Sequence, residues 1–406
     1  MQRHWKIFLL LFAIIGLCSC NHDDPEPVPT KKKKTVIVYM VAENSLSSFL
    51  DSDIREMVSA KDSIPLDCNL VLYVDAPQMP VCYTIDRQTG KSEWKTYPEQ
   101  DSCDSLVFRN TLADIINEFP AEQYGLIMWS HGSGWIPSPA HQYAQKAQQR
   151  RTIGIDNNSN NSTNTGTELE IPAMRHMLDD LGVRWDYIFF DACFMQCVEV
   201  DYELRGVCDQ IVASPAEIPG EGAPYHLIMS SMFKDNAAEE IAQIYYQSNI
   251  NKSYSGGTMG GLIISVSKSN EMEHLAETMK PYIISLFSDT REYDMKGIQV
   301  YCKYTLTSSW KPEYYDLGSA MNQLLSSPAD YEVIKAQLDR SYPVNLHTKF
   351  WLSQFFTYQQ GVISDEEHLA SVSIFLPHSK YDSMHYPEAL QDYEWYHAAG
   401  WDQTGW

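Results

Sequence analysis

Short, uninterrupted apolar runs recur along this chain, and segments of helical periodicity separate them. Thr35–Ala42 (TVIVYMVA) is the first, followed by Cys68–Val74, Tyr124–Ser130 (YGLIMWS), Tyr187–Ala192 (YIFFDA), Gln210–Ser214 and Gly261–Val266. A strand that is apolar at every position, rather than at alternate ones, has both faces covered. Between the runs, Leu46, Phe49, Leu50, Ile54 and Met57 share one helical face, and Leu112, Ile115, Ile116 and Phe119 share another. Asp104 opens that second helix and Pro120 follows its end. Further helices are expected from about Glu168 to Leu181 and from about Cys193. Strands alternating with helices imply an α/β fold with a mostly parallel sheet flanked by helices on both faces. Val81–Asp86 and Ser92–Tyr97, joined across Gln88-Thr89-Gly90, add a hairpin. Residues 138–166 form a long polar insertion without apolar periodicity. Beyond residue 290 the pattern changes to helices and aromatic loops, with one clear strand at Ala370–Leu376. The expected layout is a main domain over 35–290 and a smaller C-terminal subdomain over 291–406.

The first residues are not expected to join this fold. Arg3 and Lys6 precede an apolar run, Ile7–Leu17, with the length of a signal-peptide core. It leads into Leu17-Cys18-Ser19-Cys20, which resembles a bacterial lipobox, so residues 1–19 are expected to be removed and Cys20 lipidated. Residues 20–34, with alternating prolines and acids and then a lysine run, read as a flexible tether. The expected location is the outer membrane, facing the periplasm or the cell surface. A formal charge of −23 argues against a nucleic-acid partner. Of the nine cysteines, seven lie beyond Cys20, with no CxxC pair and no zinc-type spacing.

Two of the apolar strands end in a reactive residue. His131 follows YGLIMWS within Ser130-His131-Gly132-Ser133-Gly134-Trp135, and Cys193 follows YIFFDA. In parallel α/β sheets, sites form beyond the carboxyl ends of the strands. If the two strands are neighbours, an imidazole and a thiol meet there, the pairing needed for nucleophilic catalysis. A helix beginning at Cys193 would lower the thiol pKa through its dipole. The N–H groups of Gly132 and Cys193 are candidates for holding a developing oxyanion. Asp191, two residues before Cys193, points to the same side of an extended strand and suits a basic substrate side chain.

The stretches MWSHGSGW (128–135) and FFDACFMQCVEVDYEL (189–204) resemble the clostripain family of cysteine peptidases, relatives of gingipains, legumains and caspases. Glu43-Asn44-Ser45-Leu46 is similar to that family's first polar turn, and residues 213–225 (ASPAEIPGEGAPY) to a later substrate-side loop. The resemblance covers 35 to about 265 in order. It implies a caspase-like fold, His131 as base and acid, Cys193 as nucleophile, and cleavage after Arg or Lys. Glu221 becomes a second candidate acid for the pocket. The resemblance also implies self-cleavage between the two catalytic strands, with Lys146 as first choice and Arg150 and Arg151 as further candidates. Glu43, Phe194 and Ala216 depart from the family's commoner residues, and Ala216 bears on fine specificity.

No cofactor is expected. Clostripain itself depends on calcium, and Asp156, Asn158 and Asn160 resemble the start of a calcium loop. However, Asn161 stands where the turn-forming Gly belongs. A serine hydrolase is excluded by the lack of any GxSxG pentapeptide. The remaining alternative is a lipid-anchored binding protein that kept the fold without the activity.

Overall fold

The computed structural model describes residues 30–136, 152–157, 166–253, 260–288, 292–302, 314–353, 360–378 and 386–406. The expected signal segment and Cys20 lie outside them. In chain order the first strands are β1 (Lys32–Val41), β2 (Cys68–Asp75), β3 (Val81–Asp86), β4 (Gly90–Thr96) and β5 (Ala121–Trp129). Then come β6 (Ile153–Asp156), β7 (Thr167–Leu169), β8 (Trp185–Asp191), β9 (Cys208–Ala213) and β10 (Ile263–Lys268). The short C-terminal strands include β11 (Tyr315–Asp316) and β12 (Val344–His347). Nine of these form one sheet in the order β12-β10-β9-β8-β5-β1-β2-β3-β4. Its five central strands, β9-β8-β5-β1-β2, run parallel. Antiparallel strands extend both edges.

Both faces of the central parallel strands are buried, as the uninterrupted apolar runs require. In β1, Ile37, Tyr39 and Val41 point to one side and Val36, Val38 and Met40 to the other. The first side is covered by helices α2 (Ser105–Glu118), α3 (Ile171–Asp180), α4 (Val198–Leu204) and α6 (Met272–Phe287). The second is covered by α1 (Ser47–Ser59) and α5 (Ala237–Asn249). Asp104 caps α2, as its position predicts, and accepts the N–H groups of Leu106 and Val107.

Several expectations need correction. The tether ends earlier than residue 34, because Lys32–Lys34 already belong to β1. Lys34 is fully buried, with its ammonium 2.7 Å from the Asp186 carboxylate and donating to the Lys234 carbonyl. A lysine run reads as solvated, but here one member is a structural cation under the sheet. The polar insertion contains a buried strand, β6, invisible to periodicity because only four residues form it. The helix expected from Glu168 begins at Ile171, since 167–169 pair with β6 as β7. The strand expected over Ala370–Leu376 is reduced to Ser373–Ile374. Residues 291–406 supply edge strand β12 to the central sheet. They also pack on α4, where Phe375 donates its N–H to the Glu199 carboxylate.

Removing the buried ammonium of Lys34 leaves the Asp186 carboxylate without its counter-ion. Lys34→Ala is expected to lower unfolding free energy by about 3 kcal/mol, measured by urea denaturation.

Candidate active site

Backbone registration brings the two reactive residues together. β5 and β8 are neighbours in the sheet, and Trp129 stands opposite Asp191. His131 and Cys193 each lie two residues further on, so both leave the sheet edge at the same height. They open onto one cavity of about 160 Å³, which Asp191, Trp129, Ile218 and Leu352 also line.

The His131 loop is fixed from outside by β6. Ser133 donates its N–H to Thr152 O and Gly154 donates to His131 O, at 2.8 and 2.9 Å. Those two bonds leave the Gly132 N–H out of the ladder. A side chain at Gly132 would come within 2.7 Å of the Cys193 carbonyl oxygen and 2.8 Å of the Met195 sulfur. Glycine therefore allows the His131 and Cys193 loops to touch. The imidazole Nε2 lies 2.9 Å from the Ser45 hydroxyl. Asn44 holds the turn carrying Ser45: its amide donates to the carbonyls of Val41 and Ile155, and its oxygen accepts the N–H of Leu46. The polar, Asn-containing turn is thus the join between β1, β6 and the imidazole.

Cys193 does not stand at a helix N-terminus. It lies in a turn, and α4 begins five residues later at Val198. The expected dipole effect is absent, and the physics runs the other way. Burial pushes the Cys193 thiol up to about 12, with the nearby Glu217 carboxylate adding to the rise. The Ile218 N–H, 3.4 Å from the sulfur, only partly offsets this. The next residue, Phe194, adopts the left-handed region at φ 61° and donates its N–H to Ala216 O.

Asp191 is buried beneath the cavity. Its carboxylate accepts the Ala223 N–H at 3.1 Å and the Tyr225 hydroxyl at 2.8 Å. Burial raises its pKa to about 6 against the lowering effect of those bonds. Glu221 does not line the cavity. It is an exposed side chain paired with Lys252 at 3.3 Å, because the 219–222 turn directs it to solvent. Glu217, which the sequence did not single out, is the acid that lines the cavity from this loop. Ser45, Leu352 and Ser353 were missed as well, since their proximity is created by folding alone. Lys146, Arg150, Arg151, Asn158, Asn160 and Asn161 lie outside the described residues. Asp156 is buried and accepts the Ser102 N–H. Among the described residues no group of three His, Cys, Asp or Glu side chains is placed to hold a metal ion.

The clostripain family model matches residues 38–406. This chain belongs to the clostripain family. It is a cysteine-type endopeptidase with that family's caspase-like fold. Among solved structures it resembles a secreted C11 cysteine protease from Bacteroides thetaiotaomicron in complex with an irreversible peptide inhibitor. The two are 28% identical with a TM-score of 0.76, over 91% of this chain and 99% of the other. It also resembles an inactive zymogen C11 protease from Parabacteroides distasonis, at 26% identity and a TM-score of 0.74 over 92% of this chain and 99% of the other. A second secreted C11 protease from Bacteroides thetaiotaomicron, iotapain, is 20% identical and shares the fold, with a TM-score of 0.75 over 91% and 100% of the two chains. No curated protein matches the chain. Among the described residues no helix is long and apolar enough to cross a membrane.

Burial that raises the Cys193 thiol should show in its alkylation kinetics. Below a pKa near 12 the thiolate fraction grows tenfold per pH unit. The iodoacetamide rate at Cys193 is therefore expected to rise with a log–log slope near one between about pH 7 and 9. A plateau across that window would indicate a preformed thiolate–imidazolium pair instead.

Proposed function

We propose that this clostripain-family endopeptidase cleaves peptide bonds after Arg or Lys through an acyl-enzyme intermediate. The observation that carries the reading is the single cavity lined by His131, Cys193 and Asp191. A substrate carbonyl enters beside Cys193. As the sulfur–carbon bond forms, the thiol proton passes to His131, which suits a thiol held neutral at rest. The N–H groups of Gly132 and Cys193 stabilise the oxyanion. The imidazolium then protonates the departing amine as the carbon–nitrogen bond breaks. Water, deprotonated by His131, hydrolyses the thioester and restores the thiol.

Asp191 receives the basic side chain in this reading. A carboxylate has about four acceptor positions, so the bonds from Ala223 and Tyr225 leave room for a substrate cation. Those two bonds also hold the carboxylate in place before substrate arrives. Cleavage after either Lys or Arg fits a buried acid reached through a mostly apolar cavity.

Two further parts of the reading concern the chain outside the described residues. Self-cleavage at Lys146, Arg150 or Arg151 is proposed because these basic residues lie in a polar stretch between the two catalytic strands. A related protein described as an inactive zymogen is in keeping with activation by processing. Lipidation at Cys20, with attachment to an outer membrane, rests on the lipobox resemblance and on the tether that precedes β1. The substrates are peptides or proteins bearing basic residues, and no cofactor is invoked.

Fluorogenic peptides with Arg, Lys, Asp or Ala before the scissile bond test the reading. Wild type is expected to turn over the Arg and Lys peptides, and Cys193→Ala to turn over none. Asp191→Asn should lower kcat/KM for the Arg peptide about a hundredfold while leaving the Ala peptide unaffected. Equal turnover of Asp and Arg peptides would remove the role of Asp191. Its raised pKa gives the direction of the pH dependence. The carboxyl is neutral below a pH of about 6, so kcat/KM for basic peptides should fall as pH drops through that value.

A further inference from the structure

Both catalytic loops are touched by one side chain from the C-terminal third. Tyr314, buried just before β11, donates its hydroxyl to the Ser133 carbonyl at 2.5 Å. Its ring stacks on Phe194, with centroids 4.8 Å apart and planes 22° from parallel. Ser133 is two residues past His131, and Phe194 directly follows Cys193.

We propose that Tyr314 is a positioning residue for catalysis, setting the separation and orientation of the His131 and Cys193 loops. The proposal rests on the catalytic roles assigned above to those two residues.

The loops themselves need such a restraint. Phe194 is a bulky residue at φ 61°, a conformation that persists only when its surroundings hold it. Its N–H is held by Ala216 O, its carbonyl accepts the Cys197 thiol at 2.9 Å, and its ring is held by Tyr314. Cys197 is itself fixed by the Ser373 hydroxyl at 3.1 Å, another contribution from the C-terminal third. On the other loop, the Ser133 N–H goes to β6 and its carbonyl to Tyr314, so that peptide is restrained on both sides. Gly134, at φ 67°, fits between the loops: a side chain there would come within 2.5 Å of the Cys197 sulfur and 2.7 Å of the Phe194 carbonyl oxygen. None of these restraining groups lines the cavity shared by His131 and Cys193. Their combined effect is on where the Gly132 and Cys193 N–H groups and the imidazole stand relative to the sulfur. Errors of an ångström in such placement cost rate rather than binding.

The variants Tyr314→Phe and Tyr314→Leu separate the two contacts. Tyr314→Phe keeps the stack and loses the hydrogen bond; Tyr314→Leu loses both. The expected result with an Arg peptide is a kcat lowered about tenfold in Tyr314→Phe and about a hundredfold in Tyr314→Leu, with KM within about twofold of wild type. Tyr301→Phe is the control. It removes a buried hydroxyl bond of similar kind, to Asp316 at 2.6 Å, in the same region, and keeps the backbone bond from the Tyr301 N–H to Tyr314 O. It should lower the thermal midpoint comparably and leave kcat unchanged. Wild-type kcat in Tyr314→Phe would overturn the proposal. So would a kcat loss in Tyr301→Phe that matches Tyr314→Phe at the same thermal midpoint. Activity surviving Cys193→Ala would overturn the catalytic assignment itself, a result distinct from either.

Discussion

Hydrogen bonding between β5 and β8 sets Trp129 against Asp191, and the site depends on that registration. Side chains alternate along a strand, so a shift of one residue would turn either His131 or Cys193 away from the common edge. The shift is prevented by packing on both faces: Leu126 and Met128 are buried on one side of β5, Ile127 and Trp129 on the other. Trp129 also donates its indole N–H to the buried Asp53 carboxyl in α1 at 2.8 Å, which holds its ring in place.

The parts of this arrangement that were legible in the sequence are those written locally. Uninterrupted apolar runs exposed the parallel strands, and a His and a Cys just past two of them exposed the site. Asp104 and Pro120 marked a helix by its chemistry at both ends. The parts that were hidden depend on distant chain segments. Lys34 reads as one of four solvated lysines until Asp186 is placed beneath it. Cys193 reads as a helix start because VEVDYEL follows, yet residues 192–197 are used to make the turn that Phe194 and Cys197 hold. Glu221 and Glu217 differ by four positions in one loop, and only the fold decides which carboxylate faces inward.

The C-terminal third is woven into this site rather than appended to it. β12 completes one edge of the sheet, Ser373 and Phe375 bond the turn and helix that follow Cys193, and Leu352 lines the cavity. Asp201 in α4 joins the same network, accepting from Gln196, Ser267 and Tyr342. Burial holds its carboxyl up at about 8, so it sits in the interior largely as a neutral group at moderate pH.

The buried thiol has a consequence for durability. Peroxides and disulfides react with thiolates far faster than with thiols. A thiol that burial pushes up to about 12, as at Cys193, holds less thiolate than an exposed one and is correspondingly slower in these reactions.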